Sequence, residues 1–207
     1  MIVTDVVPFD KKRRKVHIDN QYAFPLYLSE LRRFNIEPGN EVSVTSMEKI
    51  EEILYKRIRE RILYLLDASP RTEYEIRTKL FKSGYIDRYV TPVIDRIKEY
   101  GYIDDYAYAR MYSESLRNSK NNSRRMIEQK LYQKGISAEV ISEIMEDISI
   151  DETDLIIKTL KKKKVDPATY GDMDYAARRK TFGYLVSKGF SPSNVSRCLG
   201  ELSEEFT

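Results

Sequence analysis

The stretch KLFKSGYIDRYV, Lys79 to Val90, decides the fold, because it sets a Leu, three residues, a Gly and an apolar residue in a row. A glycine at that point closes a helix, since a residue without Cβ takes the left-handed conformation at little cost. The same arrangement returns in KLYQKGISAEVI, Lys130 to Ile141, and in YLVSKGFSPSNV, Tyr184 to Val195. Gly84, Gly135 and Gly189 are thus spaced by 51 and 54 residues. Beyond each glycine the apolar positions stay in register: Val90, Ile141 and Val195; Ile94, Met145 and Leu199; Ile97, Ile148 and Leu202. Recurrence in register over tens of residues is the mark of a repeated structural unit.

Working outward, each copy joins the second and third helices of a three-helix unit. Upstream of the first copy, Ile50, Ile53, Leu54, Ile58, Ile62, Leu65 and Leu66 form a stripe at spacings of three and four, the period of a helix with one buried face. That helix stops near DASPR, and Thr72 with Glu75 supplies a capping box for the next. Later starts are marked by Asp104 or Asp105, Ser123, Ser137, Asp151, and Ser191 with Pro192. The first copy has Ile86 where the others have Ser137 and Ser191, so its third helix, expected from about Asp87 to Tyr100, is expected to take its cap from Asp87 or a later residue. In the third unit KKVDPATYGD reads as a longer loop.

Residues 1–46 have another texture. MIVTDVVPF and RKVHIDNQYAF are rich in β-branched and aromatic residues around the charged break DKKRR, and Val16 and Ile18 alternate with Lys15, His17 and Asp19. A β-hairpin is expected there, followed by a short helix in SELRRFN. The fold class is therefore mainly α: three tandem three-helix repeats, 47–102, 103–149 and 150–207, forming an elongated, curved body behind a small amino-terminal β-hairpin module, 1–46.

Composition narrows the function. A third of the 207 residues are charged and 41% are hydrophobic, which suits a globular protein with a charged surface. The net charge of +3 decides nothing by itself, so clustering must carry any argument for a polyanionic partner. A single Cys198 and a single His17 exclude an internal disulfide and argue against a Cys/His metal site, as expected of a cytoplasmic protein. Neither a membrane-spanning run nor a secretory signal is found. No phosphate-cradling or dinucleotide-binding glycine motif occurs, and His17 has no nearby nucleophile in sequence. Asp104 and Asp105 suit helix caps better than acid–base chemistry, and Tyr108 and Tyr112, four apart, suit the core better than base stacking. The expectation is a protein without cofactor, metal or catalytic residues.

Basic clusters lie at Lys11 to Lys15, Lys56 to Arg61, Arg124 with Arg125, Lys161 to Lys164, and Arg178 to Lys180. Each alone suits a solvated helix face. Together they are more informative, because Arg124, Arg125, Arg178 and Arg179 lie seven and six residues before the repeated Leu in units two and three. Tandem units would space such side chains regularly against a repeating polyanion or a helical filament. In unit one Glu73 and Tyr74 occupy those positions, with Arg71, Arg77, Lys79 and Lys82 near.

RTEYEIRTKLFKSGY, VIDRIKEYGYIDDYAYARMY and SRRMIEQKLYQKGI resemble the central signature of the RecX regulators of bacterial RecA recombinase. The resemblance is strong over residues 50–148 and looser beyond. It implies a monomer that lodges in the groove of the RecA–DNA filament and restrains its extension, ATP hydrolysis and strand exchange in recombinational repair, with weak binding of single- and double-stranded DNA. Expected contact residues are Arg77, Lys79 and Lys82; Arg124, Arg125 and Lys130; and Arg178, Arg179 and Lys180. Two other readings are a winged helix-turn-helix transcription regulator, which needs a β-wing after Gly101, and a protein-only helical scaffold.

Overall fold

The computed structural model describes residues 1–118, 122–165, 170 and 173–200. It is mostly helical, with ten α-helices among the described residues and an amino-terminal three-stranded antiparallel sheet. The chain divides into two compact units, Met1–Asp105 and Tyr106–Thr207.

In the first unit β1 (Val3–Pro8), β2 (Arg13–Ile18) and β3 (Gln21–Tyr27) pair in sequence order, so the expected hairpin is extended by a third strand. Asp19 and Asn20 make the second reversal, both at positive φ (49° and 63°), the turn whose twist matches antiparallel strands. The alternation holds: Val16 and Ile18 are buried while Lys15 and His17 are half-exposed. Helices α1 (Leu28–Arg33), α2 (Val44–Ala68), α3 (Glu73–Lys82) and α4 (Asp87–Glu99) follow. Val16, Phe24 and Leu26 of the sheet share one core with Ile50, Leu54 and Ile58 of α2 and with Leu80 and Ile94. The sheet thus finds in α2 the cover that three strands need.

Helix starts follow local chemistry. α2 begins at Val44, six residues before Ile50 opens the apolar stripe, because the Ser43 hydroxyl accepts from the Ser46 amide at 3.1 Å. Thr72 and Glu75 exchange hydrogen bonds as a reciprocal capping box at the head of α3. α4 corrects the expectation: its N-cap is Ile86, with no side-chain cap. Asp87 sits inside the first turn, where a carboxylate still favours the positive end of the helix dipole.

The second unit holds α5 (Asp105–Asn118, which starts on the last residue of the first unit), α6 (Arg124–Gln133), α7 (Ala138–Asp147), α8 (Glu152–Lys162), α9 (Tyr175–Ser187) and α10 (Pro192–Leu199). Ser123, Ser137, Asp151 and Ser191 all cap as expected. Two apolar clusters form, one around Ile127, Leu131, Ile141 and Met145, the other around Ile156, Leu160, Leu185, Val195 and Leu199. Tyr108 and Tyr112 pack against the first. Leu202 and most of the loop KKVDPATYGD lie outside the described residues.

All three repeated glycines are left-handed, at φ 89°, 76° and 86°. In each the amide after the glycine donates to the carbonyl of the repeated Leu: Tyr85 to Leu80 at 3.1 Å, Ile136 to Leu131 at 3.2 Å, Phe190 to Leu185 at 3.4 Å. This is the 6→1 bond of a Schellman closure, with the Leu and the following apolar residue burying its outer side. Three further helices end the same way, through Leu31–Asn35–Ile36, Ile97–Gly101–Tyr102 and Leu160–Lys164–Val165.

Candidate functional site

The nine expected contact residues fall into two physical groups. Arg77 on α3 is engaged: Nε meets Glu73 at 2.7 Å, and Nη1 meets Asp87 and Thr91 at 2.8 Å each. It joins α3 to the first turn of α4. Glu73 also accepts from Lys98 Nζ at 2.7 Å. Burial pushes the Glu73 carboxyl up, but the hydrogen bonds from Lys98 and Arg77 outweigh it and hold the pKa below its usual value. Beside it Asp105 accepts from the Glu73 amide at 2.9 Å. That bond makes Asp105 an added cap on α3 as well as the start of α5, while burial raises its pKa. Lys79 and Lys82 stand exposed in the last turn of α3, where positive charge suits the negative end of the helix dipole.

In the second unit Ser123 caps α6, accepting from Met126, while its hydroxyl donates to the Lys188 carbonyl at 3.0 Å. Arg124 and Arg125 are exposed at that helix start. Arg124 lies 3.3 Å from Glu128, and Arg125 borders the turn at Gly189. Lys130 donates to Asn122 Oδ1 at 2.8 Å, and Asn122 in turn donates to the Leu116 carbonyl at 2.8 Å, which fixes the chain just ahead of α6. On α9, Arg178 is half-buried and its carbonyl accepts from Tyr170, whereas Arg179 and Lys180 are exposed. The Arg178–Lys180 cluster begins α9 and the Arg124–Arg125 pair meets its far end, about 13 Å away along the helix. The structure therefore does not merge these clusters into one patch.

A convergence that the sequence pattern does not reveal lies in the first unit. The β1–β2 loop brings Lys11, Lys12 and Arg13 to one side of an open groove of about 520 Å³, and α2 brings Arg57 and Arg61 to the other. Asp10 is the one carboxylate among its lining residues. It accepts from the amides of Lys12 and Arg13 at 2.9 and 2.8 Å and from Arg13 Nε at 2.8 Å, bonds that hold its pKa low. Arg13 Nη1 donates to the Ser83 carbonyl at 2.8 Å. Tyr22, its pKa pushed up to about 12 by burial, donates to the Gly84 carbonyl. Arg57 pairs with Glu30 and lies 4.7 Å over the Tyr27 ring. Loop and helix face each other only because the sheet packs on α2 and on the turn at Gly84.

No group of three or more His, Cys, Asp or Glu suited to a metal occurs among the described residues. No helix among them is long and apolar enough to cross a membrane. After Gly101 the chain enters α5 rather than a β-wing. Cys198 packs against the last apolar cluster.

Comparison with known proteins gives one consistent answer. The family described as "RecX, first three-helix domain" matches residues 59–96, and "RecX, second three-helix domain" matches residues 104–145. The chain is 28% identical over 195 residues to "Regulatory protein RecX" of Clostridium tetani, covering 93% of this chain and 89% of that one. It is 29% identical over 203 residues to the protein of the same name from Finegoldia magna, covering 92% and 95%. A solved structure, "Crystal structure of regulatory protein RecX", superposes with a TM-score of 0.63 at 26% identity, over 96% of this chain and 98% of that one. With both three-helix domains matched and the similarity running nearly end to end, the chain belongs to the RecX family of regulatory proteins.

Proposed function

We propose that this protein binds the RecA–DNA filament and restrains its extension, ATP hydrolysis and strand exchange, acting by occupancy rather than by chemistry of its own. The observation that carries the reading is the pair of three-helix domains matched to RecX, with relatives named as regulatory proteins over nearly their whole length. Three units, 47–102, 103–149 and 150–207, would engage successive protomers or phosphates of the filament. Several weak contacts on one chain then act at a high effective concentration. Lys79, Lys82, Arg124, Arg125, Arg179 and Lys180, all exposed, supply the contacts. Arg77, Lys130 and Arg178 hold the helices that present them. The protein works as a cytoplasmic monomer.

The test is RecA ATPase on single-stranded DNA with substoichiometric protein. A fall in rate and in filament length is expected, and no change in either overturns the reading. Charge reversal of Arg124 and Arg125 separates the scaffold reading, which predicts intact filament and DNA binding, from the present one, which predicts a loss. A transcription regulator reading the major groove is disfavoured by the helix that stands where a wing is needed.

A further inference from the structure

We infer that the groove between the β1–β2 loop and α2 is a second contact site, one that takes the phosphate backbone of single-stranded nucleic acid. The inference rests on the nucleic-acid part of the function proposed above, and assigns it to residues outside the three repeated basic clusters.

Charge is the first ground. Five cations from two separate elements line the groove against one carboxylate, and that carboxylate is already bound by Arg13 and by loop amides. Lys11, Lys12 and Arg61 are exposed, and none forms an ion pair among the described residues. Like charges held together in this way repel one another unless an anion lies between them.

Arg57 provides the second ground. One of its terminal nitrogens pairs with Glu30, while the other, Nη1, is buried and makes no hydrogen bond of good geometry, although the Tyr85 hydroxyl is near the guanidinium. A buried donor left unpaired is costly, and a guanidinium fork fits a phosphate oxygen in the way it fits a carboxylate.

The character of the walls selects the ligand. Tyr27 is covered by Arg57, and Tyr85 is buried, so neither ring is offered for a base to stack on. The same fact leaves no aromatic recess for the side chains of an acidic peptide. What the groove sets along an open channel is five cations from two elements, which suits a repeating, sequence-independent chain of phosphates. A free phosphate would stay largely hydrated in so open a site.

The experiment titrates the full chain against a labelled oligothymidylate over a range of salt, comparing wild type with the triple variant Lys11→Ala/Lys12→Ala/Arg61→Ala. All three residues are exposed, so circular dichroism and melting should match wild type. Removing three phosphate contacts should flatten the log–log salt slope by about 2 and weaken binding about tenfold or more. A triple variant at exposed sites outside every basic cluster, Arg32→Ala/Lys49→Ala/Arg117→Ala, controls for net charge and should change the slope less. An unchanged slope in the groove variant, an equal change in the control, or no binding by wild type overturns the inference. So does a labelled polyglutamate that binds more tightly than oligothymidylate through the same three residues. RecA ATPase run in parallel separates the two readings: a flattened slope with no wild-type effect on RecA keeps the groove and removes the filament role, and the converse result removes the groove alone.

Discussion

At Gly84 the turn carbonyls are met by the sheet, with Arg13 donating to Ser83 and Tyr22 to Gly84, while at Gly189 the matching carbonyl of Lys188 is met by Ser123 of another helix. The backbone is the same in both places and the neighbours are unrelated. A Schellman closure turns the last carbonyls of a helix outward, where they accept from whatever packs there, and a glycine lets that neighbour come close. A Cβ on Gly84 would lie 3.0 Å from the Phe9 ring, and one on Gly189 would lie 2.6 Å from Ser123 Oγ. One turn thus serves as a docking point for two different elements. Gly101 has the same handedness with nothing within 4 Å of its would-be Cβ, so it needs glycine for conformation alone.

The strongest way to break the comparison is an alanine series. Gly84→Ala and Gly189→Ala should each destabilise by about 2–4 kcal/mol, combining left-handed strain with overpacking. Gly101→Ala should cost only about 1 kcal/mol, for the strain. Urea denaturation measures all three, and equal losses would falsify the claim that the neighbours matter. A double-mutant cycle then isolates the contact at Gly189. Ser123→Ala costs about 1 kcal/mol as a lost cap, yet Gly189→Ala in that background should cost about 1 kcal/mol less than in wild type, because the clashing oxygen is gone. Strict additivity would place the strain wholly in the backbone.

The helices, most of their starts and their glycine closures were legible in the sequence because each is set by residues within one turn; the start of α2 at Val44 and that of the uncapped α4 after Ile86 were not. Ser123, Ser137, Asp151 and Ser191 needed only their own hydroxyl or carboxylate and the next three amides. Asn35 and Lys164 close helices in the same way but were not legible, since neither carries the glycine signal. Three strands were read as a hairpin because the two-residue turn at Asp19–Asn20 hides inside a continuous β-rich run. For the site, sequence found the basic clusters one at a time. It could not show that Arg77 is spent on Glu73 and Asp87, or that Lys11 and Arg61, fifty residues apart, line one groove. Such facts depend on tertiary packing.

The α3 junction offers a contrast in sign. Glu73 has a lowered pKa in the fold, so its contribution is present above the unfolded value and is lost as pH falls through the folded one. Asp105 has a raised pKa, so its charged form is disfavoured and its contribution fades as pH rises through the folded value. Glu73→Gln should cost about 1 kcal/mol at neutral pH and shrink the loss of stability on acidification. Asp105→Asn keeps an oxygen to cap α3 and should enlarge that loss. Melting temperature against pH decides, and acid limbs unchanged in both variants would sink the assignment.

The smallest effect tests whether the closure itself, rather than what covers it, needs a glycine. Lys164 ends α8 at φ 58°, with Val165 donating to the Leu160 carbonyl at 3.1 Å and Lys164 to that of Lys161 at 3.0 Å. A lysine there bears the strain of Cβ against the backbone, of order 1 kcal/mol, and glycine would relieve it at the cost of greater freedom in the unfolded chain. Lys164→Gly should therefore stabilise the second unit by about 0.5 kcal/mol, a small rise in melting temperature. Asn35→Gly should gain less, because asparagine already tolerates the left-handed region. If Lys164→Gly destabilises instead, the freedom that glycine adds costs more than the strain it relieves, and one route is at hand: Lys163 Nζ lies 3.7 Å from the centre of the Tyr184 ring, and loosening residue 164 would disturb that neighbour first.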